Sequence, residues 1–257
     1  EKGEVKINSS TAFPHDIVNK YMSDKWDEKL RGKDPTLEAM WKALPDYVNG
    51  NCNTLVVRDG SGSMTTKVGK TSISCLQVAT ALSIYFSERL EGQFKDKFIT
   101  FSSHPELVSF EKYDNLHDKI KLAYSYDDHS NTDIESTFDL ILNVAVKNNL
   151  KQSEIPNLLI ISDMEFDSVT YGNNNEKLFK TIANKFQRYG YKLPRLSFWN
   201  VCSRTSTIPV LQNELGVSLI SGFSPALSKQ VLSEEIDPYK TLVKQLMSDR
   251  YKQVTLK

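Results

Sequence analysis

The chain has 257 residues, 39% of them hydrophobic, which is enough to bury one substantial core, and its 32 basic side chains balance 32 acidic ones. A formal net charge of zero excludes a global field that would gather nucleic acid or an anionic membrane surface, leaving that role to local basic patches. Cys52, Cys75 and Cys202 are widely spaced with no Cys-x-x-Cys pair, and no apolar stretch approaches bilayer length, so a disulfide framework, a zinc knuckle and a membrane span are all unexpected and a cytoplasmic setting fits best.

The chain opens on Glu1-Lys-Gly-Glu-Val-Lys, without an initiator Met, which suggests a fragment or a processed chain, and without the apolar region of a signal peptide. Residues 1–50 are polar, with short apolar clusters around Phe13–Met22 and Leu37–Leu44, and read as a helical and loop-like extension to a main domain over 51–257. The texture changes at Thr54-Leu55-Val56-Val57, a continuous apolar run of strand length that leads into Asp59 and a Gly/Ser loop. Leu76, Ala79, Leu82, Phe86 and Leu90 then recur at helical spacing, with further apolar residues on the flanks that predict a broadly buried helix. Lys97–Phe101 and Glu106–Phe110, joined by Ser-Ser-His-Pro, read as an antiparallel strand pair. A helix is expected near Leu116–Tyr124 and another over Asp133–Asn149, the latter opening on Thr132-x-x-Glu135, the pattern of a capping box. Leu158–Ile161 is a strand ending at Ser162-Asp163, Glu176–Tyr189 a helix, Leu196–Val201 and Val217–Ile220 strands, and helices are expected near Pro225–Leu232 and Tyr239–Met247. This alternation predicts a doubly wound α/β fold, a mostly parallel, Rossmann-like sheet with helices on both faces.

The informative constellation is Asp59-x-Ser61-x-Ser63 at the end of the first buried strand. Alternate residues of an extended turn aim one carboxylate and two hydroxyls at a common point, and hard oxygen donors of this kind suit Mg²⁺ or Mn²⁺ rather than zinc. Thr132 stands at a helix start and Asp163 at the end of another apolar strand. With a strand order of 3-2-1-4-5-6, the first and fourth strands are neighbours, and Asp59 and Asp163 face one crevice where the winding of the sheet reverses.

Val-Val-Arg-Asp59-Gly-Ser61-Gly-Ser63-Met, Asn-Thr132-Asp and Ile-Ile-Ser-Asp163-Met-Glu together resemble the metal-ion-dependent adhesion site of von Willebrand factor A domains. Within that superfamily the likeness is closest to the Ro/TROVE-like branch and to uncharacterised bacterial, viral and plant proteins with the same Ser-Gly-Ser-Met loop. It spans about Asn53–Gly222 and includes Phe198-Trp-Asn-Val and Ser221-Gly-Phe-Ser-Pro-Ala-Leu. The resemblance implies that Ser61 and Ser63 bind the cation directly, Thr132 directly in a ligand-competent state, and Asp59 and Asp163 directly or through water. A dication held mostly by neutral hydroxyls and water stays electrophilic, with an exchangeable position that a partner's carboxylate or phosphate can fill. Two positions depart from the pattern. Arg58 replaces an apolar residue, and either points away from Asp59 along an extended strand or swings toward an anionic partner; Ser130-Asn131 replaces a Gly-rich pair.

Each of these residues has a plainer reading. Asp59-Gly-Ser is also a turn sequence, Thr132 a helix N-cap, and Asp163 a turn cap, with Glu165 or Asp167 as the alternative metal-facing acid. His15, His104, His117 and His129 form no ligand spacing, and Trp41 and Trp199 read as core. The basic positions Lys240, Lys244, Arg250, Lys252 and Lys257 form a solvated helix face or, alternatively, a contact for RNA. Gly69-Lys70-Thr71 resembles the end of a Walker A loop, but the pattern needs its first Gly where Met64 stands, and Gly62 lies two residues too early. Neither Ser61 nor Ser63 has the glycines of a nucleophile elbow, and Ser61 occupies the position where an aspartyl-phosphate mechanism wants a second acid. The expectation is therefore a non-enzymatic module that uses Mg²⁺ to dock a protein partner's carboxylate. A component of a Ro-like RNA–protein particle is the alternative, and a P-loop-like nucleotide-binding protein a weaker one; the oligomeric state is left open.

Overall fold

In the computed structural model, which describes residues 12–22, 30–46, 48, 53–126, 133–163, 175–202 and 217–222 and positions 239, 242, 243, 246 and 247, the apolar run after Asn53 is strand β1 (Thr54–Asp59), buried at every position. It is joined by β2 (Lys97–Phe101), β3 (Leu107–Ser109), β4 (Asn157–Ser162), β5 (Leu196–Asn200) and β6 (Val217–Ser221) in one sheet of order β3-β2-β1-β4-β5-β6. Val57 lies opposite Ile99 of β2 on one side and Ile160 of β4 on the other, and both pairings are parallel. β3 is the antiparallel edge, with Phe98 opposite Val108. The strands fall within one or two residues at either end of those read from the sequence, and the pairing directions and order are those of the doubly wound sheet; the fully apolar runs β1 and β4 lie inside it, covered on both faces.

The helices are α1 (Pro14–Tyr21), α2 (Pro35–Lys42), α3 (Cys75–Ser87), α4 (Leu116–Tyr124), α5 (Ile134–Lys147) and α6 (Asn175–Arg188). A capping box starts α3: Gln77 N–H donates to Ser74 Oγ at 3.1 Å, and Ser74 N–H donates to Gln77 Oε1 at 2.8 Å. Every residue of α3 is buried, since it lies against β1 and is covered by α1 and α4. The β1–α3–β2 unit winds one way across the sheet and β4–α6–β5 the other, so right-handed crossovers put α3 and α6 on opposite faces. On the α6 side, Phe138 of α5 meets Phe179 and Phe186 edge-on at centroid distances of 6.5 and 6.1 Å.

The described part of residues 1–50 shares the core of the sheet. Ile17, Val18 and Tyr21 of α1 are buried with the residues of α3. Trp41 of α2 donates from Nε1 to Glu88 Oε2 at 2.9 Å and meets Tyr85 edge-on.

One expected cap is corrected. The N-cap of α5 is Asp133, whose carboxylate accepts the Ser136 N–H at 3.0 Å and the Ser136 hydroxyl at 2.6 Å. The expected Thr132–Glu135 box gives way because an Asp carboxylate accepts N–H bonds at a helix start better than a Thr hydroxyl does; Glu135 instead pairs with Lys185 of α6 at 2.7 Å. The helix expected over Pro225–Leu232 lies outside the described residues. Within Tyr239–Met247, the described positions Tyr239, Leu242, Val243 and Leu246 are helical.

Candidate functional site

β1 and β4 are neighbours, and their C-terminal ends are where the winding reverses, the place an open α/β sheet offers a crevice. Asp59 is the last residue of β1, one step beyond the Arg58–Ile161 pairing, and Asp163 directly follows β4. Ser162 at the end of β4 donates its hydroxyl to Asp59 Oδ2 at 2.5 Å, tying the two strand ends together. The other carboxylate oxygen of Asp59 accepts the Ser61 N–H at 2.9 Å, which turns the chain sharply out of the strand.

The turn continues as a 3₁₀ segment, Gly62–Thr65, held by Met64 N–H to the Ser61 carbonyl at 3.1 Å and by Thr66 N–H to the Ser63 carbonyl at 3.0 Å. It brings the Ser61 and Ser63 hydroxyls within 3.1 Å of each other, and Ser63 Oγ donates to Asp163 Oδ1 at 3.2 Å. Met64 is fully buried beneath the loop, where its sulfur accepts the Asp163 N–H at 3.2 Å. Of the five residues singled out from the sequence, Asp59, Ser61, Ser63 and Asp163 are thus in one hydrogen-bonded constellation. Thr132, like the alternative acids Glu165 and Asp167, lies outside the described residues. Its neighbour Asp133 donates its N–H to the Ser102 carbonyl just past β2, at 3.2 Å, so the start of α5 is attached at the same edge of the sheet.

The site buries two acids together. Asp59 is 3% and Asp163 1% exposed. Burial pushes the Asp59 carboxyl above the ordinary carboxylate range; hydrogen bonds from Ser162 and Ser61 work against that shift, and the charge of Asp163 adds to it. A divalent cation would reverse both unfavourable effects, and two carboxylates with two hydroxyls make the hard, all-oxygen donor set that Mg²⁺ takes. Among the described residues no group of three or more His, Cys, Asp or Glu side chains could hold a metal, so a cation site built from these residues draws on the serine hydroxyls.

Two neighbouring features are corrected or refined by the geometry. Arg58 is 1% exposed: its Nε donates to Thr80 Oγ1 of α3 at 2.9 Å, and its guanidinium lies 5.5 Å from the ring centroid of Tyr124. The alternative in which it reaches toward an external anion is therefore overturned; strand alternation sends it under α3, away from Asp59. Gly69-Lys70-Thr71 forms the tip of a hairpin closed by the Lys67–Ser74 bridge, and α3 starts only at Cys75. A phosphate-binding loop needs its Gly-Lys-Thr at the helix start, so this motif makes no nucleotide cradle.

Two residues of this region take roles that the sequence motifs do not give them: Ser162, whose signal is its place beside an acid at a strand end, and the Asp133 cap, whose signal is an Asp three residues before Ser136.

The family model described as "Domain of unknown function (DUF7788)" matches residues 53–255. An uncharacterized protein, L728, of Acanthamoeba polyphaga mimivirus is 31% identical over 248 residues, covering 94% of this chain and 41% of its own length. The crystal structure of the Ro (RSR) protein of Deinococcus radiodurans superposes with a TM-score of 0.52 at 15% identity, over 86% of this chain and 44% of that one. A further solved structure, proximal thread matrix protein 1 from the mussel byssus, gives 0.44 at 13% identity, over 70% of this chain and 46% of its own. The chain thus spans less than half the length of each of these proteins, and the Ro likeness is one of fold. No helix among the described residues is long and apolar enough to cross a membrane.

Proposed function

Because this chain belongs to the family described as domain of unknown function DUF7788, we propose its role from its own residues: a non-enzymatic binding module that uses Mg²⁺, or Mn²⁺ in its place, to dock a carboxylate of a protein partner. The observation that carries this reading is the convergence of two buried carboxylates and two serine hydroxyls from segments 100 residues apart in sequence. Asp59 and Asp163 supply the negative charge, and Ser61 and Ser63 supply neutral oxygens. Thr132, next to the attached start of α5, is the proposed fifth ligand. When bound, the cation would supply an electrophilic position open to a partner's oxygen. The protein's own contribution is to hold four donors in place: the Asp59–Ser162 bond fixes the strand ends, the Asx turn fixes Ser61, and buried Met64 anchors the loop.

Calorimetric titration with Mg²⁺ and Mn²⁺ tests this directly. The wild-type chain is expected to bind one cation, with or without ATP, and the Asp59→Ala, Ser61→Ala double variant to bind none. A folded wild-type chain that binds neither cation would remove the reading, and binding that requires ATP would replace it with a nucleotide site.

A second reading, a component of a Ro-like RNA–protein particle, is supported by the resemblance of the Ser-Gly-Ser-Met loop and by the fold shared with the Deinococcus protein. The two readings separate cleanly. Docking through the cation is lost in chelator and tolerates salt, whereas RNA held by basic side chains survives chelator and weakens steeply as salt rises.

A further inference from the structure

The segment Thr66–Ser74 is not used by the metal site, yet it follows the Ser63 loop directly and is built to be rigid. Lys67 and Ser74 form a β-bridge, Val68 N–H donates to the Ile73 carbonyl at 2.8 Å, and the Thr71 hydroxyl donates to the Val68 carbonyl at 2.7 Å. Gly69 takes a positive φ of 57° to make the turn, a conformation that favours glycine. Val68 and Ile73 are buried in the core, and Cys75 N–H closes the base on the Thr66 carbonyl at 2.9 Å.

The hairpin is also fixed from both sides. The Cys202 thiol, just past β5, lies 3.8 Å from the Lys67 carbonyl, and Asn19 of α1 donates to Ser72 Oγ at 3.4 Å. The hairpin therefore joins the Ser63 loop to α3 and lies against the chain just past the C-terminal end of β5. It exposes Lys67 and Lys70, neither of which takes part in an ion pair among the described residues, and the stretch Ser61–Ser74 contains no acidic residue.

We propose that this hairpin is the second half of the docking surface, and that the partner it fits is an acidic peptide segment, with one carboxylate at the cation and neighbouring ones at Lys67 and Lys70. The inference rests on the docking reading above and specifies its partner class. Holding the two lysines on a pinned turn rather than on a flexible loop reduces the ordering cost when an extended acidic segment lies across them.

The test uses the full chain, with fluorescence anisotropy of a labelled hexaglutamate peptide in Mg²⁺ and in chelator. Wild type is expected to bind the peptide in Mg²⁺, Lys67→Ala/Lys70→Ala to bind it roughly tenfold more weakly, and Lys67→Arg/Lys70→Arg to bind as wild type. The Mg²⁺ titration of the alanine pair should match that of wild type, since neither lysine touches the donor set. Mg²⁺-dependent binding that ignores the lysines would overturn the hairpin's role and leave the docking reading standing. Lysine-dependent binding that persists in chelator and in Asp59→Ala would support the hairpin surface and remove the cation from it. No binding of the peptide by wild type, or binding of an oligouridylate in its place, would overturn the acidic-peptide partner.

Discussion

Asp59 concentrates the physics of this protein in one side chain. Its carboxyl is buried beside a second acid, and burial holds its pKa above the ordinary carboxylate value of about 4. The native state therefore keeps the proton more tightly than the unfolded chain does. The stability gained this way is fully present below the unfolded value and is lost as pH rises through the raised native one. In chelator, urea denaturation of the wild-type chain should show that loss, whereas Asp59→Asn, which cannot ionise, should not, and should be the more stable of the two at neutral pH by about 1 kcal/mol. Parallel pH profiles for the two proteins would show that the buried acid carries no such cost. Arg58, one residue earlier, shows what sequence alone leaves open. Alternation along a strand gives two directions for its side chain, and Thr80 of α3 and the Tyr124 ring of α4 receive the guanidinium in the inward one.

At the scale of elements, hydrophobic periodicity was sufficient for strands and helices, and end signals were weaker. The start of α5 illustrates this: Thr132-Asp133 offers two adjacent capping residues, and the Thr132-x-x-Glu135 pattern loses to the stronger acceptor one position on. Asp133→Ala should cost about 1 kcal/mol of stability, measured by urea denaturation. Thr132→Ala should change stability by no more than a few tenths and instead weaken Mg²⁺ binding in the calorimeter. Equal destabilisation by the two would return the cap to Thr132. The same reasoning separates the hairpin from a phosphate loop: Gly69-Lys70-Thr71 has the residues, but α3 starts only at Cys75, where Ser74 Oγ takes the Gln77 N–H and the Thr66 carbonyl takes the Cys75 N–H.

For the whole molecule, the question is whether residues 1–50 are an accessory to a domain over 51–257, as proposed from the sequence, or part of its stability. Ile17, Val18, Tyr21 and Trp41 are buried with the residues of α3. At roughly 1.5–3 kcal/mol for each large side chain buried, losing them costs about as much as the net stability of a typical domain, about 5–15 kcal/mol. A chain beginning at residue 53, the start of the family match, should therefore lose its cooperative urea transition or aggregate; an unchanged midpoint would establish the extension as dispensable. By itself the sequence determined the succession of strands and helices and put Asp59 and Asp163 at the ends of two apolar strands, because continuous apolar runs specify inner strands; that these two ends meet followed only on the strand order of a doubly wound sheet. Tertiary structure alone decided that Arg58 turns inward, that Ser162 ties the two strand ends, that Asp133 caps α5 and that α1 covers α3. Each of these depends on which side chains from distant segments share a buried space, and a one-dimensional pattern of apolar and polar residues carries no record of that.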